Sequence, residues 1–420
     1  MARIDESGAA SGPPAKARAK KTRPARRRSA APPSAPEPTD PAGSAADGGP
    51  NPGTRTARPI ARLDFVFDRA APGPDGDTVA KDISCVTLAG RTIFCSCDEA
   101  ATVERLVIDE AGQVAGDHAR FHLGEIFDLP GGPHGEMDIE GLAVADGYLW
   151  ICGSQALKRR KLKSEAAETG LDPLGAVRWD ENRAFFGRVP LRDLGGGLFE
   201  PVALDEGGNP GEAPARRAAM LPMRPGRTAK RSRLRRLLSR DPLIHPFRRL
   251  AAKENGIDVE GLAVEGDTVL LGLRGPVIGG HAMIARLRVT ETRSGRLKLR
   301  RLSNGRRLAL HALDLDGQGV RDLWWQDGRL VVLSGPATDL EALQAAWLVE
   351  PFDADKPFYG GDDRRAILHL PVVNGADHAE GIALLRLADA RRLLVVYDSP
   401  HPDRLSLADN RLSCDAFAHE

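Results

Sequence analysis

Acidic side chains recur at one position of a repeated motif in this chain. The run Asp138-Ile-Glu140-Gly-Leu-Ala-Val recurs as Asp258-Val-Glu260-Gly-Leu-Ala-Val, and His378-Ala-Glu380-Gly-Ile-Ala-Leu is a third, weaker copy. Carboxylates that converge in a symmetric fold repel one another and lose hydration, so something must compensate them. The options are a hard divalent cation such as Ca²⁺ held by oxygen ligands, neighbouring cationic side chains, or protonation.

A metal site is the most specific of these options. Its predicted ligands are Asp138, Glu140, Asp258, Glu260 and Glu380. The alternative is that these acids only cap strands and bond to backbone amides of neighbouring units. This structural role explains a single acid more readily than it explains all five, because the Asp-x-Glu pair recurs intact.

Basic residues are expected at the same end of the strands as the acids. They are Lys158, Arg159, Arg160, Arg274 and Arg321. A metal held by carboxylates and flanked by guanidinium groups suits an anionic substrate such as a phosphate ester. The alternative for the basic loop 158–161 is a solvated surface loop.

Two histidines are candidate proton-transfer groups near the same face. They are His134, in Gly-Gly-Pro-His-Gly-Glu, and His401, in Ser-Pro-His-Pro. Histidine titrates near neutral pH and suits general acid–base work, although a lone histidine is more often structural. The sequence contains no Gly-x-Ser-x-Gly elbow, Walker loop, His-Glu-x-x-His or dinucleotide-binding fingerprint.

The elements that must position these residues are β-hairpins. Each motif copy precedes a turn and a second apolar run, predicted at 92–97, 148–153, 268–274, 329–334 and 392–398, and two of the turns carry Asp-Gly. Degenerate copies of the motif begin at Asp82 and Gly319, and in the latter Arg321 and Asp322 fill the acidic positions. The motif is therefore the start of a hairpin in every unit.

The spacing of the copies predicts an all-β chain folded as a β-propeller. They start near residues 82, 138, 258, 319 and 378, which fits blades of about sixty residues with one doubled step. The doubled step indicates either a hidden sixth blade or two insertions in one blade, around 155–182 and 205–253, and we favour the insertions. A strand at 62–67 is expected to close the ring against the C-terminal blade.

These segments resemble a known bacterial family, the one filed as domain of unknown function 3616. The resemblance is carried by residues 138–143, 149–161, 254–263, 273–276 and 395–400, and it covers roughly residues 60–415. It implies no established activity. The Glu-Gly-Leu-Ala element is also similar to the blade motif of esterase-like phytases and related calcium-binding propellers.

Composition divides the 420 residues into two parts. Residues 1–58 are rich in Ala, Pro and Arg and have almost no large apolar side chains, so we predict a disordered basic tail before a propeller domain at 59–420. The insertion at about 205–253 is predicted to be disordered or to form a short basic helix, and its part 214–253 carries 13 Lys and Arg against one acid. Five cysteines argue against a disulfide framework.

Three functions remain open from the sequence. The first is a metal-dependent hydrolase of a phosphorylated or otherwise anionic small molecule. The second is a non-catalytic propeller that binds a protein or ligand at the channel face, and the third is association with nucleic acid through residues 1–60 and 214–253. With no export signal and no membrane-spanning apolar run, we expect a cytoplasmic location.

Overall fold

The computed structural model describes residues 56–419 except for 74, 75, 77, 98, 160–171, 208–214, 227, 230, 231, 339, 388 and 389. The described chain is built from β-strands, with short helices in the connections. Three α-helices are described, namely α1 (Leu123–Ile126), α2 (Asp172–Gly175) and α3 (Arg233–Leu238). The 3-10 turns are Val79–Lys81, Glu181–Ala184, His245–Phe247, Gly361–Asp363 and Pro402–Arg404.

Five four-stranded antiparallel blades form the main sheets of the described residues. Blade 1 contains β2 (Ile83–Ala89), β3 (Thr92–Cys97), β4 (Thr102–Ile108) and β5 (Val114–His122). Blade 2 contains β6 (Ile139–Ala145), β7 (Tyr148–Gly153), β10 (Phe186–Gly195) and β11 (Leu198–Pro201). Blade 3 contains β15 (Asp258–Glu265), β16 (Thr268–Ile278), β17 (His281–Glu291) and β19 (Ala309–Leu313).

The last two blades complete the ring. Blade 4 contains β20 (Gly319–Gln326), β21 (Arg329–Gly335), β22 (Gln344–Val349) and β24 (Arg364–Leu370). Blade 5 contains β25 (His378–Leu387), β26 (Ala390–Asp398), β28 (Arg411–Ala418) and β1 (Ala61–Val66). The inner strands pack in the cyclic order β2, β6, β15, β20, β25 and back to β2. The expected propeller is confirmed.

Closure of the ring uses the first described strand, β1. β1 pairs antiparallel with β28 over six residues, so the N-terminal strand supplies the fourth strand of the C-terminal blade, as predicted. β1 also pairs briefly with β5 of blade 1, through Asp64 with Val114 and Phe65 with Ala115. The first and last described strands are thereby held in one blade, and the ring has no long free edge there.

The doubled step contains two insertions and no sixth blade among the described residues. One insertion lies between β7 and β10, and it holds β8 (Lys158–Arg159) and β9 (Val177–Arg178). The other follows β11, and it holds helix α3 and β12 (Leu204–Asp205), β13 (Arg216–Arg217) and β14 (Ala219–Met220). β14 returns to pair with β10, so part of this insertion extends blade 2.

Hydrophobic cores lie between neighbouring blades. Each of the five interfaces has its own buried cluster, and successive residues of an inner strand serve opposite interfaces. Leu142 packs toward blade 1, for example, while Ala143 packs toward blade 3. This follows from the two-residue period of a strand, and it explains the apolar run that follows each motif glutamate.

The remaining short strands lie outside the four-stranded core of each blade. They are β18 (Leu297–Leu299), which pairs with β17, β23 (Phe358–Tyr359), which pairs with β19, and β27 (Leu405–Ser406), which pairs with β28. None of the described helices is long and apolar enough to cross a membrane.

Candidate functional site

A β-bulge occurs at the same position of all five inner strands. In each blade the pairing register skips one residue near the start of the inner strand. The skipped residues are Ser84, Glu140, Glu260, Arg321 and Glu380. A bulge leaves its residue out of the ladder and redirects its side chain, so the ring presents one hydroxyl, three carboxyls and one guanidinium at one end of the channel.

The glycine after each glutamate is required by the neighbouring blade. A side chain at Gly141 would meet Cβ of Leu262 at 2.7 Å, and one at Gly261 would meet Cγ of Leu323 at 2.8 Å. A side chain at Gly381 would meet the backbone nitrogen of Val86 at 3.1 Å. The Glu-Gly pair therefore has two roles. The glutamate supplies a carboxyl at the bulge, and the glycine lets the inner strand of the next blade pack closely against it.

The two blades without this glycine replace the close approach with a polar contact. Asp322 of blade 4 accepts a hydrogen bond from the backbone N–H of Ile382 in blade 5, at 2.8 Å. Ser84 of blade 1 donates to the carbonyl of Ile139 in blade 2, also at 2.8 Å. Asp322 is thus a structural tie between blades rather than a member of the charged ring.

Arginines link the ring carboxylates across blades. Nη1 of Arg321 lies 3.0 Å from Oε2 of Glu260 in blade 3 and 2.7 Å from Oε1 of Glu380 in blade 5. Arg274, on β16, lies 2.5 Å from Asp258 and 2.8 Å from Glu260. All of these side chains are buried or nearly so, and we call the end of the channel that they form with Glu140 and Asp138 the charged mouth.

A third arginine, Arg183, was not anticipated from the sequence. It precedes β10, at the end of the first insertion, and its Nη1 lies 2.7 Å from Oδ2 of Asp138. It also bonds to Glu136. No repeat or motif marks this position, and Arg183 could have been found only by knowing that the insertion folds back on the inner strand.

The structure brings the five predicted carboxylates together. The charge of Asp258 contributes to raising the pKa of Asp138, and the charge of Glu140 acts on both Arg274 and Arg321. The predicted neighbours Arg274 and Arg321 lie within the cluster. The compensation that the structure shows is therefore the guanidinium option, and protonation assists it.

Burial shifts the pKa values of several acids in the mouth. Desolvation raises the pKa of Asp138 to about 6, against the lowering effect of Arg183. Desolvation also raises the pKa of Glu260, while Arg274 and Arg321 act in the other direction. The pKa of Glu380 is raised well above its usual value, first by desolvation and then by the charge of Asp398.

A divalent cation does not fit the donor set as it is arranged. Among the described residues, no group of three or more His, Cys, Asp or Glu side chains is placed to hold a metal ion. Four of the five predicted ligands, Asp138, Asp258, Glu260 and Glu380, are instead paired with guanidinium groups. A hard cation here would have to displace Arg183, Arg274 or Arg321 from its carboxylate partners.

The described part of the predicted basic loop, Lys158 and Arg159, lies beside the mouth instead of lining it. Lys158 lies 2.6 Å from Glu136, which it shares with Arg183. Arg159 bonds to Glu254 through its Nη2 at 2.7 Å. Arg160 lies outside the described residues. The cation that joins Arg274 and Arg321 in lining the mouth is Lys253, from the second insertion.

Neither predicted histidine lines the charged mouth. His134 lies in a separate pocket with His122, their ring centroids 5.9 Å apart. Nδ1 of His401 accepts a hydrogen bond from the backbone N–H of Asp403 at 3.3 Å, at the start of a 3-10 turn. Their proposed role in proton transfer has no support from this placement. The histidine in the mouth is His378, at the first position of the third motif copy.

A pocket of about 120 Å³ opens at the charged mouth. Its polar lining includes Lys253, Arg274, Arg321, Gln344, Glu380 and Asp398, and its rim is apolar at Leu340 and Val372. The opposite end of the channel has a larger cavity of about 770 Å³, lined by the second halves of the five inner strands. The same five strands therefore carry charge at one end and mostly apolar side chains at the other.

The cysteines do not add a second site. All five are buried and form no disulfide. Burial raises the pKa of the thiols of Cys85, Cys95 and Cys414 well above the usual value. The raised pKa values keep these thiols protonated. Because only the thiolate is a good nucleophile or metal ligand, they serve as packing groups.

Most of the chain matches one known protein family. The model of the family described as "Protein of unknown function (DUF3616)" matches residues 82–415. The chain belongs to this family. The expected family is confirmed, and the matched region runs from the first inner strand to the last strand of blade 5. A search of curated proteins found no match to this DUF3616 chain.

Solved structures similar to this DUF3616 chain include several propellers. Glutaminyl cyclase from Myxococcus xanthus has a TM-score of 0.34 at 10% identity, covering 86% of this chain and 100% of that one. A calcium-binding regucalcin from Agrobacterium tumefaciens has a TM-score of 0.32 at 11% identity, covering 86% and 98%. The WD40 domain of Toxoplasma gondii coronin has a TM-score of 0.28 at 10% identity, covering 87% and 78%. At these scores the likeness carries no information about ligand or reaction.

Proposed function

We propose that the charged mouth binds a small molecule that carries an anionic group. The observation that supports this is the lining of one pocket by three cations from separate elements. Lys253 comes from the second insertion, Arg274 from blade 3 and Arg321 from blade 4. Guanidinium groups bind carboxylates and phosphates with paired, charge-assisted hydrogen bonds, and an ammonium group adds a flexible point charge.

Protonation of Glu380 removes a negative charge that would repel an anion beside these cations. Burial and the charge of Asp398 raise the pKa of Glu380 well above its usual value. A neutral carboxyl donates a hydrogen bond instead of repelling the ligand. Binding of the anion and binding of this proton are therefore favourable to each other, so affinity increases as pH falls through the pKa of Glu380.

The proposed site works without a resident metal ion. Asp258 and Glu260, the strongest candidate ligands, are both held by Arg274, and Glu260 is also held by Arg321. Pairing of this kind satisfies the carboxylates in place of a cation. This favours the binding function over a metal-dependent hydrolase at the same mouth.

Metal-independent hydrolysis of an anionic ester is a second candidate, favoured by one pair of carboxyls. Glu380 and Asp398 line the same pocket, and Asp398 contributes to the raised pKa of Glu380. Of two neighbouring carboxyls, the one with the raised pKa can protonate a leaving group while the other activates water. Turnover of phosphate and carboxylate esters in the presence of EDTA, lost in Glu380→Gln, would identify this activity.

Calorimetric titration with inorganic phosphate tests the binding proposal. Lys253 is exposed, so Lys253→Gln should fold normally and weaken binding by about tenfold, the scale of one charge-assisted hydrogen bond. Arg386→Gln is the matched control, because Arg386 is an exposed cation lining the opposite end of the channel. Equal affinities in all three proteins, or no binding by the parent at pH 6, would contradict the proposal.

A thermal melt separates this proposal from the metal-dependent one. The midpoint should be the same with EDTA and with millimolar Ca²⁺, since only a ligand of the native state stabilises it by mass action. A Ca²⁺-dependent rise in the midpoint that disappears in Glu260→Gln would contradict the metal-free site and favour metal-dependent hydrolysis.

A further inference from the structure

A second charged feature lies on the outer part of blade 3. Residues 293–307 contain seven Lys and Arg and no Asp or Glu. They form strand β18 and the turns on both sides of it. We call this segment the basic ridge; it lies outside the basic segments 1–60 and 214–253 that the sequence analysis singled out.

Buried leucines that alternate with exposed Lys and Arg residues anchor the basic ridge to the blade. Leu297, Leu299, Leu302 and Leu308 are at most 4% exposed, while all seven Lys and Arg of the ridge are exposed. Leu297 and Leu299 pack in the same core as Leu234 and Leu238 of helix α3. The buried leucines therefore hold the cations pointing outward.

Backbone hydrogen bonds order the turns that carry the cations. The N–H of Thr292 donates to the carbonyl of Arg296 at 2.8 Å, and that of Leu302 donates to the carbonyl of Arg306 at 2.6 Å. Arg301 donates from its side chain to the carbonyl of Gly305, also at 2.6 Å. An ordered array of cations loses less conformational entropy on binding than a disordered one.

Most of the ridge cations have no acidic partner among the described residues. Arg300 lies 3.7 Å from Asp267, and Arg306 lies 3.0 Å from Asp241. The other five form no ion pair with any residue that the structure describes; they are Arg293, Arg296, Lys298, Arg301 and Arg307. This is a surplus of charge that the fold itself does not neutralise.

The second insertion continues the positive surface. Asp241, the partner of Arg306, directly follows the exposed Arg240, and Arg217 of β13 lies against Gly295. The ridge and the insertion therefore meet along two contacts. The positive surface spans parts of the chain that are distant in sequence.

We propose that the basic ridge binds the phosphate backbone of duplex nucleic acid. A regular row of phosphates is the partner that matches an ordered row of unpaired cations. The segment 293–307 has no aromatic side chain to stack on the bases of a single strand. Its apolar side chains are all buried leucines, so it has no exposed apolar group to insert into a membrane.

Binding of a fluorescent duplex DNA to the full chain, measured over a range of salt, tests this proposal. The parent should bind more weakly as salt rises, by counterion release. In the triple variant Arg296→Gln, Lys298→Gln, Arg301→Gln, the slope of log affinity against log salt should fall by about three, one for each lost phosphate contact. The matched control is Arg365→Gln, Arg386→Gln, Arg391→Gln, which removes three exposed cations from blades 4 and 5.

Each alternative outcome overturns the proposal. An unchanged slope in the ridge variant would place any nucleic-acid binding elsewhere in the chain, and equal losses in both variants would show that only net charge matters. Tighter binding of the parent to vesicles with anionic lipid than to duplex DNA at the same salt would make the partner a membrane surface. Circular dichroism of both variants excludes loss of fold as a cause.

Discussion

The two ends of the propeller channel are built from the same five strands and differ in one local feature. At the charged mouth each inner strand has a bulge, and the bulged residues meet as three glutamates, one arginine and one serine. Toward the opposite end the same strands pair without interruption, and their side chains serve the blade interfaces. The bulge, rather than the propeller itself, therefore creates the site.

The two ends also differ in what their charges do. In the mouth, carboxylates and guanidinium groups are paired across blades and largely removed from water, as with Arg321 between Glu260 and Glu380. At the opposite end, charged residues such as Arg386 are exposed. Buried charges become expensive when a partner is lost, whereas exposed ones contribute little. Substitutions at the two ends should therefore have very different costs.

The largest difference is expected from removing one arginine at each end. Arg321→Met leaves Glu260 and Glu380 without this partner, and it should lower the free energy of unfolding by about 3–5 kcal/mol, the cost of breaking a buried ion pair. Arg386→Met at the opposite end should change it by less than about 0.5 kcal/mol, as an exposed substitution. Urea unfolding of both variants measures the contrast, and similar losses would remove the distinction between the two ends.

A pH-dependent difference is expected at Asp138. Folding raises the pKa of this carboxyl to about 6, so the folded state holds its proton more tightly than the unfolded state does. The free energy of unfolding of the parent should then fall as pH rises from about 4 to 6. Asp138→Asn, which tolerates the positive φ at this residue, should lack the contribution of Asp138 to that decline. Its free energy of unfolding should therefore rise relative to that of the parent by an amount on the order of 2 kcal/mol between pH 4 and pH 7.

Urea unfolding across this pH range checks the prediction at Asp138. Loss of the ion pair with Arg183 shifts the whole curve of the variant, so the slope with pH is the informative quantity. Parallel curves for the parent and Asp138→Asn would show that this carboxyl is not held in its neutral form.

A smaller effect is expected from the glycine beside a bulge. Gly261→Ala would bring a methyl group to 2.8 Å from Leu323 and to 3.2 Å from the backbone of blade 4. Overpacking of this kind should lower the free energy of unfolding by about 1–3 kcal/mol. At Gly116, on β5, nothing lies within 4 Å of an added Cβ and φ is not positive, so Gly116→Ala is the control and should be nearly neutral. Equal stabilities would show that the blades can separate at the mouth.

The smallest effect is expected at Ser84, the one bulge residue without charge. Its hydroxyl donates to the carbonyl of Ile139 in blade 2 at 2.8 Å. Ser84→Ala should lower the free energy of unfolding by about 1 kcal/mol, the usual net contribution of one hydrogen bond. A loss as large as that at Arg321 would mean that Ser84 is coupled to the charged residues rather than only to blade 2.

The elements that carry the site could be predicted from the sequence because hairpins repeat. Thr92–Cys97 and Tyr148–Gly153 have the predicted bounds, and β1 closes the ring as expected. Equivalent positions in a closed ring must converge, so the motif alone predicts that the acids meet. The third strand of blade 5, at Arg411–Ala418, was missed because it has no counterpart of the motif.

The chemistry of the mouth was less accessible to sequence reasoning. Arg321 was recognised in an acidic position, but the choice between arginine and a metal ion as the compensating charge depends on side-chain distances. Arg183 lies at the end of an insertion, and its contact with Asp138 depends on how that insertion folds back. The excess of Lys and Arg at 293–307 can be read from the sequence. That these cations point outward from the blade depends on which leucines are buried, which only the structure shows.

The cross-blade pair of Arg321 and Glu260 tests most directly whether bulge residues of different blades form one charged cluster. A double-mutant cycle with Arg321→Met, Glu260→Gln and the double variant, measured by urea unfolding at pH 7.5, isolates their interaction. Atoms 3.0 Å apart in a buried site should give a coupling free energy of about 1–3 kcal/mol. Effects that add to within about 0.3 kcal/mol would contradict the cluster, because residues that do not interact lose stability independently.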